Sequence, residues 1–199
     1  MIAPQPFYES TATLRDALRT ATGARHASLD AALMPAGTVW TRDRYVAFLR
    51  GTLAAICDTE PAAASTLPAF RLPDGPTRAD RVSHDLAALG ADGTVEAVVL
   101  QLDLRVPAAA FGAAYVIEGS MLGGQHVAQA VERDLGLDAD CLTYLRPPGE
   151  PVASRWSTFV AELEAFGRRA GSVEWRDAEK TAVATFVAFE AAFRREGLL

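Results

Sequence analysis

The sequence is short of several things, and each shortage excludes something. Lys180 is its only lysine among 19 basic residues, so any contact to an anionic ligand must come from arginine, whose guanidinium has a fixed fork geometry. Cys57 and Cys141 are the only cysteines. Two are too few for a disulfide framework, they have no metal-type spacing, and both read as reduced thiols. None of the three histidines, His26, His84 and His126, has a glutamate three residues before it, which disfavours a di-iron carboxylate bundle. No glycine-rich flavin or nucleotide fingerprint occurs. The formal net charge of -6 argues against nucleic acid as a partner. No stretch has eighteen uninterrupted apolar residues, and the opening MIAPQPFYES lacks the basic region and apolar run of a signal peptide. No membrane partner is therefore expected, and the expected location is the cytoplasm.

What is there is helical periodicity. With 199 residues, half of them hydrophobic, the chain can bury the core of one domain. Residues 1-12 carry two prolines and no period, and read as an N-terminal arm; residues 13-199 read as one all-α domain. Behind Thr13, a possible N-cap, Leu14, Leu18, Thr22, His26, Leu29 and Leu33 run down one helix face and stop before Pro35. A second helix opens near Thr41, carries Tyr45, Phe48, Leu49 and Ile56 inward, and is stopped by Pro61. Residues 62-76, rich in Pro and Ala, read as a surface connection. Thr77 and Asp80 then form a capping box for a helix ending at Gly90.

Residues 94-106 alternate as a strand would, but no second strand-like run exists to pair with them. They read as an extended or short helical connection. Pro107 restarts a helix that runs to Leu135 and closes at Gly136. Residues 152-170 and 173-196 form two more helices, ended by Gly171 and Gly197, behind a rigid loop at 144-151.

Two places can carry chemistry. A neutral imidazole at His26, on an apolar helix face, can ligate a metal whose other ligands belong to a cofactor. The competing reading is a satisfied core histidine. Asp30, one turn on, is placed to support the imidazole, and Arg19, two turns back, to reach an edge carboxylate of a flat ligand. The second place is Glu118 to Gln125, EGSMLGGQ, with Gly119, Gly123 and Gly124 inside a helix. Each glycine there costs about 1 kcal/mol relative to alanine. Close helix packing or a kink would explain them, as would a backbone laid bare against an aromatic ring.

The segments ALRTATGARH, residues 17-26, and YVIEGSMLGGQ, residues 115-125, resemble the proximal and distal helices of the bacterial, biliverdin-producing heme oxygenases. Weaker similarity extends over residues 13-167. The resemblance implies a single helical bundle with heme between the two helices. It makes His26 the axial iron ligand and Arg19 a propionate-binding cation. Gly119 and Gly123 become the flexible distal contact, next to Gly124, while Tyr115 and Arg155 stand where propionate-contacting groups occur. Ser120 replaces the distal aspartate of the animal enzymes, so Ser120, backbone groups and water would support the oxygen network. His126 is read as turned off that face, and His84 as a surface residue. Glu118 is no obvious substitute for the aspartate.

The reaction so implied consumes three oxygen molecules and seven electrons and yields biliverdin, carbon monoxide and iron(II). Heme is then both cofactor and substrate, and molecular oxygen the co-substrate. Electrons would come from a separate ferredoxin or flavin reductase, and a bacteriophytochrome could receive the biliverdin. The rival reading is a heme-binding or heme-sensing protein on the same scaffold without turnover. A related helical enzyme acting on a vitamin precursor is disfavoured, because neither cysteine has a histidine close in sequence.

Overall fold

The computed structural model describes residues 13–72, 75–149 and 151–199, all helices, turns and connections with no strand among them. Seven α-helices follow one another: α1 (Leu14–Leu33), α2 (Arg42–Ile56), α3 (Thr59–Thr66), α4 (Arg78–Ala88), α5 (Pro107–Leu135), α6 (Val152–Gly167) and α7 (Ser172–Arg195). Residues 1-12, read as an arm, lie outside the described residues. No helix described is long and apolar enough to cross a membrane.

Local chemistry sets most of the ends. Thr13 Oγ1 accepts the Asp16 N–H at 3.2 Å and starts α1, and Thr77 with Asp80 forms the full capping box of α4. Gly136 closes α5 in the left-handed region, at φ 58°, where a side chain would be strained. Other ends differ from the sequence reading. Helix α2 stops at Ile56, before Pro61, which lies in the first turn of α3. There a proline removes no intrahelical hydrogen bond, because the first N–H groups of a helix have no partner within it. The stretch 62-76 is no mere surface connection: Ala63, Leu67 and Phe70 are buried. Helix α6 ends at Gly167, and Gly171 is the N-cap of α7 rather than the end of α6. The alternating stretch 94-106 is an irregular connection that passes into bends and a turn at 101-106, tied down by the Val98 N–H donating to the Ala54 carbonyl at 2.8 Å.

Helix α5 is the axis of the bundle. It lies along α7, with α3 and α6 on its flanks, while α1 rests on α7 and α6, and α2 on α7 and α4. Glycines decide how closely these pairs approach. A Cβ at Gly112 of α5 would overlap the Ala178 carbonyl of α7; one at Gly51 of α2 would lie 2.5 Å from the Phe193 ring, and one at Gly167 of α6 2.7 Å from Leu14 Cβ. Backbone therefore meets backbone or side chain directly at three crossings.

Gly112→Ala should consequently destabilise the protein by about 3 kcal/mol or more, since the obstacle is a backbone oxygen that cannot rotate away. The gain of about 1 kcal/mol in helix propensity does not offset that. Urea unfolding of the purified variant measures it, and a wild-type midpoint would show that α5 and α7 do not touch at this level.

Candidate functional site

The buried stripe of α1 is Leu14, Leu18, Thr22, Leu29 and Leu33. His26 belongs to it by spacing, yet its side chain is 55% exposed. The imidazole edge packs on the Phe186 ring of α7, with centroids 5.8 Å apart. Its Nδ1 lies 3.6 Å from Asp30 Oδ2, close enough for electrostatic support but beyond hydrogen-bond length. So His26 is not a core residue with its polar atoms satisfied. It leaves the apolar stripe open at mid-helix.

On α5, Tyr115, Gly119, Leu122, Gly123 and His126 share one face by their spacing. At Tyr115 this face meets α1: the phenol pairs with the Thr22 side chain, and its ring lies 5.7 Å from that of Trp156. Burial raises the Tyr115 pKa, with Arg15 and Arg19 opposing. One turn beyond Thr22 comes His26; one and two turns beyond Tyr115 come Gly119 and Gly123. A Cβ on Gly119 would find only the Trp156 ring, at 3.8 Å, and one on Gly123 nothing within 4 Å. Close helix packing is therefore not what these two glycines serve. That role falls to Gly112. Helix α5 also runs as one continuous helix through the glycine segment.

Other expected members of the site stand apart from that face. Gly124 is buried, with Leu145 3.1 Å from where its Cβ would be, so it admits the 144-149 loop instead of facing the open strip. Arg19 is largely exposed and, among the described residues, pairs with Asp16 at 3.3 Å. Arg155 is engaged: it donates to Glu118 Oε1 and to the Phe70 carbonyl, both at 2.8 Å. His126, read as turned away, is exposed seven residues from Gly119 and stands at the far end of the same strip. His84 is half exposed on α4, its Nε2 3.1 Å from Asp140.

Behind Gly119 lies a polar node that the sequence reading missed. Arg78, 2% exposed, pairs through Nη1 with Glu60 Oε1 at 2.8 Å and through Nη2 with Glu118 Oε1. Glu60 also accepts the backbone N–H groups of Arg78 and Ala79. Burial works against the Arg78 charge, but Glu118 and Glu60 overcome it and raise the pKa. Beside the node, the Ser120 hydroxyl donates to the Ile117 carbonyl at 2.7 Å, and the Tyr144 hydroxyl pairs with Ser120. Burial pushes the Tyr144 pKa up to about 12, so that phenol keeps its proton at neutral pH. Asp85, also fully buried, accepts from the Thr143 hydroxyl and from the N–H groups of Thr143 and Tyr144. A single weak signal pointed to this node: Glu118 sits in an otherwise apolar turn of α5.

No family model and no curated protein matches the chain. Solved structures do. The NO- and CO-bound heme oxygenase of Neisseria meningitidis superposes with a TM-score of 0.77 at 22% identity, over 94% of this chain and 92% of that one. The heme oxygenase of Leptospira interrogans does so with a TM-score of 0.70 at 16% identity, over 92% of this chain and 100% of that one. At such identities the likeness defines an architecture. The protein is an all-α bundle with the heme oxygenase fold.

Replacing Arg78 by methionine should cost about 3–5 kcal/mol, because two buried carboxylates lose their shared counter-charge. Chemical denaturation measures this. A change below about 1 kcal/mol would mean that the carboxylates are solvated or protonated rather than dependent on Arg78.

Proposed function

We propose that this protein is a heme oxygenase that binds heme between α1 and α5 and opens the ring to biliverdin, carbon monoxide and iron(II), with oxygen as co-substrate. One observation carries the reading: a half-exposed imidazole interrupts a buried stripe on α1, while α5 carries, one and two turns beyond the Tyr115–Thr22 contact between the same helices, Gly119, bordered only by the Trp156 ring, and Gly123, which faces open space. A flat aromatic ligand with a metal at its centre needs a nitrogen on one side and a wall without side chains on the other. The fold agrees, and so does the chemistry of the donor set.

In this reading His26 Nε2 holds the iron, and Asp30, on the Nδ1 side, supports the imidazole. Gly119 and Gly123 form the opposite wall. Arg19, unencumbered apart from Asp16, is the cation for a propionate; Tyr115 fixes the near edge by holding α5 to α1. Arg155 acts at one remove, since its guanidinium positions Glu118 and hence the turn that carries Gly119. When bound, heme supplies both the iron that activates oxygen and the porphyrin that is consumed. Ser120 and Tyr144 keep a hydrogen-bonded pair beside that wall; with the Ser120 proton directed at Ile117 and the Tyr144 pKa high, the pair orders neighbouring groups and does not act as an acid. Electrons come from a separate ferredoxin or flavin reductase in the cytoplasm, and biliverdin passes to an acceptor such as a bacteriophytochrome.

Adding hemin to the purified protein, with a reductant and oxygen, tests the proposal. A Soret band of histidine-ligated heme and then a biliverdin spectrum are expected. His26→Ala should abolish turnover and change the Soret band while leaving the apoprotein melting temperature within a few degrees. An unchanged spectrum and normal turnover would assign the iron to another residue.

Gly123→Leu separates a ligand wall from a packing surface. The apoprotein should melt at or above the wild-type temperature, because Gly123 is exposed, a Cβ there meets nothing within 4 Å and helix propensity improves by about 1 kcal/mol. Biliverdin formation should fall at least tenfold. A strongly destabilised apoprotein with normal yield per folded molecule would return Gly123 to a packing role.

A further inference from the structure

The polar node behind Gly119 borders a cavity of about 120 Å3. Arg78, Arg81, Arg155 and Glu118 line it, and Leu72, Met121 and Val152 give it an apolar wall. The carboxylates nearby are already spoken for. Glu118 accepts from Arg78 and Arg155, Glu60 from Arg78 and two backbone N–H groups, and Asp85 from Thr143 and Tyr144. The Arg81 guanidinium has neither an ion pair nor a hydrogen-bond partner among the described residues. Its Nε–H and that of Arg155 are both buried with nothing to accept them. A buried donor left unpaired costs about 1–3 kcal/mol, and here two stand on the wall of one cavity. Burial first, and then the charge of Arg78, lowers the Arg81 pKa, against the attraction of Asp85 and Glu60, neither of which reaches its guanidinium as an ion pair.

We propose that this cavity binds a small carboxylate anion of the size of acetate or propionate, held by Arg81 and Arg155. Water would satisfy the two donors but leave the Arg81 guanidinium without a carboxylate in direct contact. A carboxylate supplies charge and planar acceptors that match a guanidinium. Its short alkyl end suits the Leu72, Met121 and Val152 side, where a fully hydrated tetrahedral anion would have to shed water against hydrocarbon. The volume is several times what one water needs and admits a few heavy atoms. Because Glu118 directly precedes Gly119, an occupant that draws on Arg155 bears on the turn that carries the glycine face.

The test uses the full chain without hemin, so it stands apart from the heme reading. Melting temperatures are followed in acetate, propionate, phosphate and chloride at one ionic strength. Acetate and propionate should give a saturable rise of about 3–6 °C at tenfold excess over a millimolar Kd. The response should vanish in Arg81→Gln, whose own melting temperature stays near wild type because the lost guanidinium makes no ion pair or hydrogen bond among the described residues. The Arg81 Nε–H resonance should shift on titration with acetate. The proposal is overturned by an equal response to chloride, by a response to phosphate alone, by an acetate response that survives in Arg81→Gln, or by no saturable response. Repeating the titration with stoichiometric hemin bound should leave the acetate response in place. Its loss would make the cavity part of the heme site and end its standing as a separate one.

Discussion

The architecture hangs on the approach of α5 to α7 at Gly112, where the absence of one methyl group lets a helix backbone lie against the Ala178 carbonyl. An alanine there would push the axes apart, and everything referred to α5 would move with it. Helix α1 depends on α7 through the Arg25–Glu190 pair and the His26–Phe186 contact, so the width of the strip between α1 and α5 is set two turns away from the glycines that face it. One residue type serves opposite ends on one helix. Gly112 removes a side chain so that protein can come close; Gly123 removes a side chain where no protein comes, and Gly119 one that would only touch the Trp156 ring.

The middle of α5 is held from behind by charge. Glu118 receives two guanidinium groups, from the start of α4 and from α6, and Arg155 reaches on to the Phe70 carbonyl. Burying these charges is costly, and replacing such a cluster with hydrocarbon is often neutral or stabilising. What charge gives and hydrocarbon does not is direction: carboxylate and guanidinium meet in few orientations, which fixes the rotation of α5 about its own axis. With that rotation fixed, Tyr115 meets Thr22 of α1, and the two glycines follow on the same face of α5.

Much of this was legible in the sequence, and the limits are physical. The leucines of the α1 stripe, the Thr77–Asp80 capping box and the long helix from Pro107 to Gly136 are local patterns, written within one or two turns, and they appear as read, with His26 the one exposed position in the stripe. Gly124 was placed by proximity to the motif, but a helix rotates by 100° per residue, and that carries Gly124 to Leu145 instead of the open strip. His126 failed in the other direction, since seven residues bring it back to nearly the azimuth of Gly119. Pro61 and Gly171 read as stops and are starts, because the same residue types suit both ends of a connection. The node of Arg78, Glu60 and Glu118 had no local signature at all. Its members lie 18 and 40 residues apart and meet through tertiary packing alone.

The gap in the α1 stripe has a thermodynamic consequence. Leu14 and Leu18 anchor one half of the helix and Leu29 and Leu33 the other, and between them His26 contributes an edge against Phe186 and little else. A ligand that fills the gap completes the hydrophobic seam and binds only the folded chain, so it raises the stability of the bundle with the logarithm of its concentration. Under the proposed function that ligand is consumed. The protein would then be most cohesive at the start of each cycle and loosest as product departs, with the scaffold's resistance to unfolding governed by the supply of its own substrate.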